Sequence, residues 1–314
     1  MNSELRQSSG TLCSLHISVL LFGLAGVVAK TLSLPATFIV FARAVVSALV
    51  ILPFVAKGTN RSLPTVKDLS FHFITAGLLA THWLTFFYAI QISSLAIGLV
   101  SFSAYPIFTT LIEPYCTRSR ISLRNIIVVF MLICGLSIAN PSINFSDSAT
   151  RGLIIGTLSG LLFALLSVAN KLRSDTLSPL SMAMWQNGLA GMLLFPFVFQ
   201  SSFTVTPKDL LLLLLLGIFC TALAHSLFLY SLKTVSAQFA STATTLEPVY
   251  GVALGWVILG DLPNPSVIVG GLIILITIVI ETSHASRVQK ELRKSGESPL
   301  TRYFFRREIN RIVE

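Results

Sequence analysis

Charged residues are scarce in this sequence, and their scarcity decides the class of protein. Only 11% of the 314 residues are Asp, Glu, Lys or Arg, whereas a soluble domain carries about 25%. Apolar residues make up 54% of the chain, and the mean hydropathy is +0.81. A soluble domain with a single membrane anchor is therefore excluded. The composition predicts an all-α polytopic membrane protein whose main partner is the lipid bilayer.

Cysteines are few and isolated. The four, Cys13, Cys116, Cys134 and Cys220, form no CxxC pair and no cluster with histidine, so neither a disulfide framework nor a zinc site is indicated. The motifs HExxH, GxSxG, Walker A and GxGxxG are also missing from the sequence. We therefore expect no enzyme, no bound metal, no cofactor and no ATP site.

The net charge of +9 does not predict a nucleic-acid partner, because Lys and Arg stand between apolar runs and form no basic patch. Their distribution predicts an orientation instead, since cytoplasmic loops of membrane proteins are enriched in these residues. With the N-terminus inside, 18 of the 22 Lys and Arg residues fall on the cytoplasmic side, three fall on the other side, and Arg43 lies within a span. Both termini should therefore be cytoplasmic.

Ten apolar runs are candidates for membrane-spanning helices, which need about 20 apolar residues each. The links between them are short, and only the basic tail that follows residue 281 is long. The predicted spans are 12–29, 35–56, 69–90, 94–115, 125–139, 152–170, 179–199, 210–230, 236–259 and 265–280.

The chain repeats itself with an offset of about 142 residues. Matching pairs are Phe22–Lys30 with Phe163–Lys171, Leu52–Val55 with Phe195–Val198, and Pro106 with Pro248. Each half then has an odd number of spans, so the second half must enter the membrane from the opposite side. We expect two inverted five-helix repeats at 12–140 and 152–281, joined by a linker at 141–151 and flanked by a cytoplasmic N-terminus (1–11) and a basic cytoplasmic tail (282–314). Inverted repeats are common in secondary transporters, whose substrate site lies at the repeat interface near the midplane.

Several features together resemble the drug/metabolite transporter superfamily, EamA type. They are the ten spans, the two five-helix halves, Phe41-Ala-Arg43 with Pro53 in the second span, and Glu247-Pro248 running to Leu259-Gly260-Asp261 in the ninth. The resemblance covers residues 12–281 and implies a transporter in the bacterial inner membrane, with cavity walls from spans one, three, four, six, eight and nine. Two departures stand out: Asp261 replaces the usual Glu, and Glu113-Pro114 does not align by the repeat with Glu247-Pro248, whereas Tyr105-Pro106 does.

Members that resemble this chain move small metabolites, often amino acids. Others move nucleotide sugars, sugar phosphates or S-adenosylmethionine. We expect amino acids or related amines, because the clearest intramembrane charge is the carboxylate of Glu247 and its surroundings are aromatic. S-adenosylmethionine or nucleotide-type metabolites are the alternative substrates, and protons are a candidate coupling ion. Hypotheses from other classes are an intramembrane lipid-modifying enzyme and a membrane scaffold that works through the basic tail.

Glu247 is the strongest candidate for a substrate or proton site, because a charge facing lipid at the helix centre costs about 2.5–3.5 kcal/mol. The alternative is a carboxylate at the membrane interface, or one that caps the break at Pro248. In the fourth span, Ser101, Tyr105, Thr109 and Glu113 recur every four residues and share one helical face. That face is either the wall of a wet cavity or a packing seam of small residues.

Two mid-membrane histidines, His82 and His225, lie in the third and eighth spans. They are either hydrogen-bonded to neighbouring helices or, with aromatic neighbours, in contact with a ligand. Lys30 and Lys171 end the first and sixth spans and are expected to reach the lipid headgroups. The predicted substrate-binding residues are Glu247, Tyr105, His82, Trp83, His225, Tyr88, Tyr230, Ser101, Thr244 and Asn187. The predicted structural or hinge residues are Pro106, Pro248, Gly98, Gly251 and Arg43.

Overall fold

The computed structural model describes residues 2–57, 65–117, 123–139, 146–198, 202–260, 262–277 and 280. Within these residues every regular element is helical. The predicted tail at 282–314, residues 141–145 of the predicted linker, and Asp261 lie outside the described residues.

The described helices are as follows, in chain order. They are α1 (Asn2–Thr31), α2 (Ala36–Lys57), α3 (Val66–Ile92), α4 (Leu95–Phe102), α5 (Tyr105–Thr117), α6 (Leu123–Ala139), α7 (Ser148–Arg173), α8 (Pro179–Val198), α9 (Pro207–Gly217), α10 (Ala224–Ser231), α11 (Ala237–Thr244), α12 (Glu247–Leu259) and α13 (Pro265–Thr277). A π-helical turn, Ile218–Leu223, joins α9 to α10.

In the part of the chain that the structure describes, seven helical segments are long and apolar enough to cross a membrane, so the chain is an integral membrane protein. They are Gly10–Thr31, Ala36–Lys57, Val66–Ile92, Leu95–Thr117, Ser148–Arg173, Pro207–Ser231 and Ala237–Leu259. Each of them coincides with one of the ten predicted spans. The other three predicted spans correspond to α6, α8 and α13, which do not belong to this set.

Equivalent side chains start equivalent helices in the two halves. Thr65 and Asp68 form a capping box at the start of α3, and Thr206 and Asp209 form the same box at the start of α9. In such a box each side chain accepts a hydrogen bond from a backbone N–H that the first helical turn leaves free. A helix end is also marked by its residue type: α12 ends at Gly260, whose φ of 68° is a left-handed conformation that favours glycine.

The fourth and ninth predicted spans are each broken into two helices at matching positions. The first break, between α4 and α5, is closed by tight turns in which Ser103 and Ala104 donate to carbonyls three residues back, at 3.1 and 3.2 Å. At the second break, between α11 and α12, the backbone N–H groups of Thr245 and Leu246 also donate to carbonyl oxygens three residues back, at 3.3 and 3.1 Å. Each break places a proline, Pro106 or Pro248, at the second position of a new helix, where its missing N–H costs nothing.

The two repeat-related lysines bind the ends of neighbouring helices. Lys30 Nζ donates to the carbonyl oxygen of Ile90 at 3.4 Å, and Lys171 Nζ donates to that of Leu232 at 2.8 Å. These carbonyls stand at helix C-termini, where they lack partners within the helix and carry the negative end of the helix dipole. Each lysine therefore has a protein partner as well, and the reach to the headgroups stays a prediction.

Glu113 also holds two helices together. Its carboxylate accepts hydrogen bonds from the backbone N–H groups of Ala237 at 2.9 Å and Gln238 at 2.6 Å. These are the first two residues of α11, so the side chain of one broken span caps the start of the other. Four residues earlier on α5, Thr109 Oγ1 donates to Ser241 Oγ at 2.6 Å. The polar face predicted for the fourth span is, at these two positions, a helix–helix contact.

Candidate functional site

A buried cavity lies where α1, α2, α3, α4, α7, α10 and α12 meet. It offers about 30 Å³ of space to the centres of water molecules, which is room for roughly two of them. The residues that line it are Phe22, Ala25, Arg43, Leu79, His82, Trp83, Phe86, Phe102, Phe163, His225 and Glu247. Its polar groups are thus an arginine, two histidines, an indole and a carboxylate.

The Arg43 guanidinium is held in place by four neighbours. Its side chain is 2% exposed, Nε donates to Thr221 Oγ1 at 2.8 Å, and Nη2 donates to the Cys220 carbonyl oxygen at 3.1 Å. The guanidinium carbon also lies 4.1 Å from the ring centre of Trp83 and 5.0 Å from that of Phe87. A cation over an aromatic face is stabilised by the electrons of the ring, so Arg43 has both hydrogen bonds and stacking to offset its burial.

The π-helical turn supplies the oxygens that bind Arg43. Thr221 Oγ1 donates to the carbonyl oxygen of Leu216 at 2.7 Å, so its lone pairs remain for Arg43 Nε. Gly217, just before the turn, lets α2 approach, because a Cβ there would lie 2.6 Å from the Cβ of Val46. Single π-helical turns inside longer helices are frequently found at functional sites.

Glu247 is the negative group of the cavity. It is 3% exposed and is the first residue of α12, where the positive end of the helix dipole favours a carboxylate. Within the described residues its carboxylate has no hydrogen-bond partner, and the Arg43 guanidinium lines the same cavity. The repeat explains why Glu247 has no such partner. Tyr105, the residue equivalent to Glu247, donates to Ser167 Oγ at 2.8 Å. The position equivalent to Ser167 is Gly26, which has no side chain that could bind Glu247.

Aromatic rings form the remaining walls. The Phe163 ring stacks on the His82 ring with centres 4.6 Å apart, and it meets the edge of Phe22 at 6.4 Å. Trp83 meets the His225 ring edge-on at 6.2 Å. The cavity therefore combines one positive and one negative side chain with an aromatic enclosure, a combination that suits a small molecule carrying both charges and an apolar body.

Sequence comparisons identify the family of the chain. The model of the EamA-like transporter family matches residues 10–140 and again residues 150–282. The chain belongs to the EamA-like transporter family. The predicted resemblance to this family is thereby confirmed, as are the presence of two family repeats and a role as a membrane transporter.

Relatives of this EamA-like protein come from bacteria and archaea. The uncharacterized transporter YxxF of Bacillus subtilis (strain 168) is 24% identical over 82% of this chain and 85% of its own length. An uncharacterized transporter of Archaeoglobus fulgidus is 23% identical over 84% of this chain and 93% of its own. A protein of known crystal structure shares the fold, with a TM-score of 0.69 and 17% identity over 90% of this chain and 99% of its own.

Four of the predicted substrate-binding residues of this EamA-like transporter line the cavity. They are His82, Trp83, His225 and Glu247. Arg43, predicted as structural, lines it too and also binds the π-helical turn. The six remaining lining residues were not predicted, and most of them are phenylalanines. The repeat carried a signal for two of them, because Phe22 and Phe163 are the first residues of its longest matching segment.

Three predicted residues are buried, but their hydroxyl groups bind other protein atoms. Ser101 donates to the Gly98 carbonyl oxygen and Thr244 to the Ala240 carbonyl oxygen, each within its own helix. Tyr105 donates to Ser167 Oγ, and its ring stacks on that of Phe102 with the centres 5.8 Å apart. None of these three lines the cavity. The contacts of Ser101 and Tyr105 fit the packing seam that was the alternative prediction for the fourth span.

The remaining predicted residues lie elsewhere. Tyr88 and Tyr230 are 49% and 42% exposed on the outer surface, so the structure does not bring them to the cavity. Asn187 is fully buried behind His225, to which it is hydrogen-bonded. The two glycines predicted as structural sit at close helix contacts: a side chain at Gly98 would meet Ile90, and one at Gly251 would meet Leu99.

Proposed function

We propose that this protein is a secondary transporter of small metabolites, with amino acids or closely related amines as its substrates. The observation that carries the proposal is the presence of Arg43 and Glu247 in the wall of one buried aromatic cavity. A free amino acid carries a carboxylate and an ammonium group, which match a guanidinium and a carboxylate respectively. The aromatic rings would then surround an apolar substrate side chain.

The small size of the cavity supports movement by alternating access. With room for roughly two water molecules, it admits a metabolite only after helices separate. We infer ten spans in two inverted five-helix halves, so that rocking of one half against the other opens the cavity to each side in turn. The two breaks at Ser103–Ala104 and Thr245–Leu246 are the points where the broken spans would bend.

The placement in the cell is part of the proposal. The distribution of Lys and Arg supports cytoplasmic N- and C-termini. The relatives in Bacillus subtilis and Archaeoglobus fulgidus support a prokaryotic cytoplasmic membrane. In this orientation the contact of Glu113 with α11 lies on the cytoplasmic side of the cavity.

Flux into proteoliposomes tests the substrate class. We expect uptake of amino acids above the level of empty liposomes, and weaker uptake of matched compounds that lack either the amine or the carboxylate. Arg43→Gln and Glu247→Gln should each lower uptake at least about tenfold, since a hydrogen bond to a charged group contributes about 1.5–3 kcal/mol. Tyr88→Phe, on the outer surface, serves as the matched control and should keep the parent rate.

The same panel discriminates the other hypotheses. It includes S-adenosylmethionine and nucleotides, and a preference for these would replace amino acids as the substrate class. Absence of flux for every compound, from protein that is folded and correctly inserted, would reject a transporter of small metabolites.

A further inference from the structure

Two histidines from different halves of the chain line the cavity, and in the described part of the chain each has a hydrogen-bond partner at one ring nitrogen. His82 lies on α3 and His225 on α10, and they are 5% and 2% exposed. In both rings Nδ1 has a hydrogen-bond partner. Within the described residues Nε2 of either ring has none, and Nε2 of His225 is completely buried. Whether each Nε2 donates or accepts depends on which nitrogen carries the proton.

The partner of His225 fixes its proton on Nε2. Asn187 Nδ2 lies 2.7 Å from the Ala183 carbonyl oxygen, which only accepts, so the amide group is oriented with its NH₂ on that side. The same Nδ2 lies 3.2 Å from His225 Nδ1. A donor facing Nδ1 requires an acceptor there, so Nδ1 is unprotonated and the ring carries Nε2–H.

The partner of His82 fixes the opposite arrangement. Ser159 Oγ donates its proton to the backbone carbonyl oxygen of His82 at 2.9 Å. Ser159 Oγ lies 2.7 Å from His82 Nδ1 and, with its proton already donated, can only accept there. The backbone carbonyl oxygen of Ser159, 3.2 Å from the same Nδ1, also only accepts. Nδ1 must therefore carry a proton, and in the neutral ring Nε2 is an acceptor.

We propose that the two histidines give the cavity a fixed hydrogen-bond polarity that selects the substrate. His225 adds an N–H donor to the positive group Arg43, and both side chains border Trp83. His82 adds an acceptor on the ring that stacks on Phe163. A ligand that fits carries an anionic acceptor, such as a carboxylate, and a separate N–H donor, such as an ammonium group. This assignment rests on the proposed function. Asn187 and Ser159 are positioning residues, because they act through the rings they bind.

The nitrogen-15 NMR spectrum of protein labelled at its histidines measures the protonated nitrogen of each ring without any substrate. The chain has five histidines, and His82→Gln and His225→Gln identify the two signals. We expect His225 to be protonated at Nε2 and His82 at Nδ1. The same tautomer in both rings, or the two tautomers exchanged, would overturn the proposal.

Two variants test the positioning residues. Asn187→Leu removes the donor to His225 and should turn the spectrum of that ring into a mixture of tautomers. Ser159→Ala removes the hydroxyl acceptor but leaves the backbone carbonyl oxygen 3.2 Å from His82 Nδ1, so it should shift the His82 tautomer only in part. Thr81→Val is the control, because the hydroxyl of Thr81 binds only its own helix. If both variants keep the parental tautomers, the positioning role is rejected.

Flux measurements separate this inference from the proposed function. Each positioning variant should raise the half-saturating concentration of a transported amino acid several-fold, while the same compound without its carboxylate is less affected by Asn187→Leu. Unchanged half-saturation, together with altered tautomers, would overturn substrate selection by the histidines. Absence of any flux alongside the expected tautomers would reject the proposed function and leave the polarity of the cavity standing.

Discussion

The contact between Glu113 and α11 makes a quantitative prediction about stability. Glu113→Ala would leave two backbone N–H groups at the start of α11 without an acceptor. A buried donor that loses its partner costs about 1–3 kcal/mol. Ala237 is fully buried, whereas Gln238 is partly exposed and its N–H can bind water. We therefore expect the free energy of unfolding to fall by about 2–4 kcal/mol.

Glu113→Gln should have a smaller effect than Glu113→Ala. The glutamine side chain has the same length but a single oxygen, so it can accept from only one of the two N–H groups, and its NH₂ group faces the other donor. We expect roughly half the loss caused by alanine. Thermal unfolding of purified protein in detergent, followed by the fluorescence of a thiol-reactive dye or by circular dichroism, measures both variants against the parent.

The matched control is Asp175→Asn. It removes a carboxylate from an exposed position shortly after α7, so it should leave the midpoint of unfolding within about one degree of the parent. The expected loss for Glu113→Ala corresponds to a drop of roughly 4–16 °C, taking about 2–4 °C per kcal/mol. If Glu113→Ala unfolds at the same temperature as Asp175→Asn, the carboxylate does not cap α11 and the argument fails.

Three further predictions concern the cavity and the glycine contacts. Arg43→Lys should lower flux at least about tenfold because lysine cannot bind Thr221 and Cys220 with separate nitrogens; equal flux by variant and parent would contradict this. Glu247→Gln should abolish any dependence of flux on a pH gradient, and retention of that dependence would reject proton coupling through this carboxylate. Gly251→Ala should destabilise the protein by about 1–3 kcal/mol, because the added methyl group would meet Leu99. Gly77 has open space around it, so Gly77→Ala is the control and should leave the stability unchanged. Equal midpoints of thermal unfolding for the two variants would refute this prediction.

Some features of the fold could be predicted because they depend on local sequence. Apolar runs predicted the membrane helices, since a helix satisfies its own backbone hydrogen bonds in lipid. The offset between Pro106 and Pro248 predicted equivalent positions, and both prolines stand at the start of a new helix after a break. The presence of Glu247, His82 and His225 in one cavity was foreseen for a similar reason, because ionisable and polar groups in a membrane segment avoid lipid.

Other features depend on which helix lies opposite, and the sequence of one helix does not contain that information. Lys30 and Lys171 were expected at the headgroups, and each also has a helix C-terminus within reach. Tyr105 was expected in the cavity, yet Ser167 on α7 binds its hydroxyl. The role of Arg43 was underestimated because the π-helical turn that binds it leaves no recognisable pattern in Ile218–Leu223.

By itself the sequence determined the class of the protein, its repeat, its family and the few polar groups placed within its spans. These depend on composition, periodicity and offsets along the chain, which are properties of residues near one another or of two matching segments. The tertiary structure alone decided that Arg43 and Glu247 share a cavity, that phenylalanines enclose it, and which nitrogen of each histidine is free. These depend on contacts between helices far apart in sequence, where a hydrogen-bond partner or a ring a few ångströms away fixes what each side chain can do.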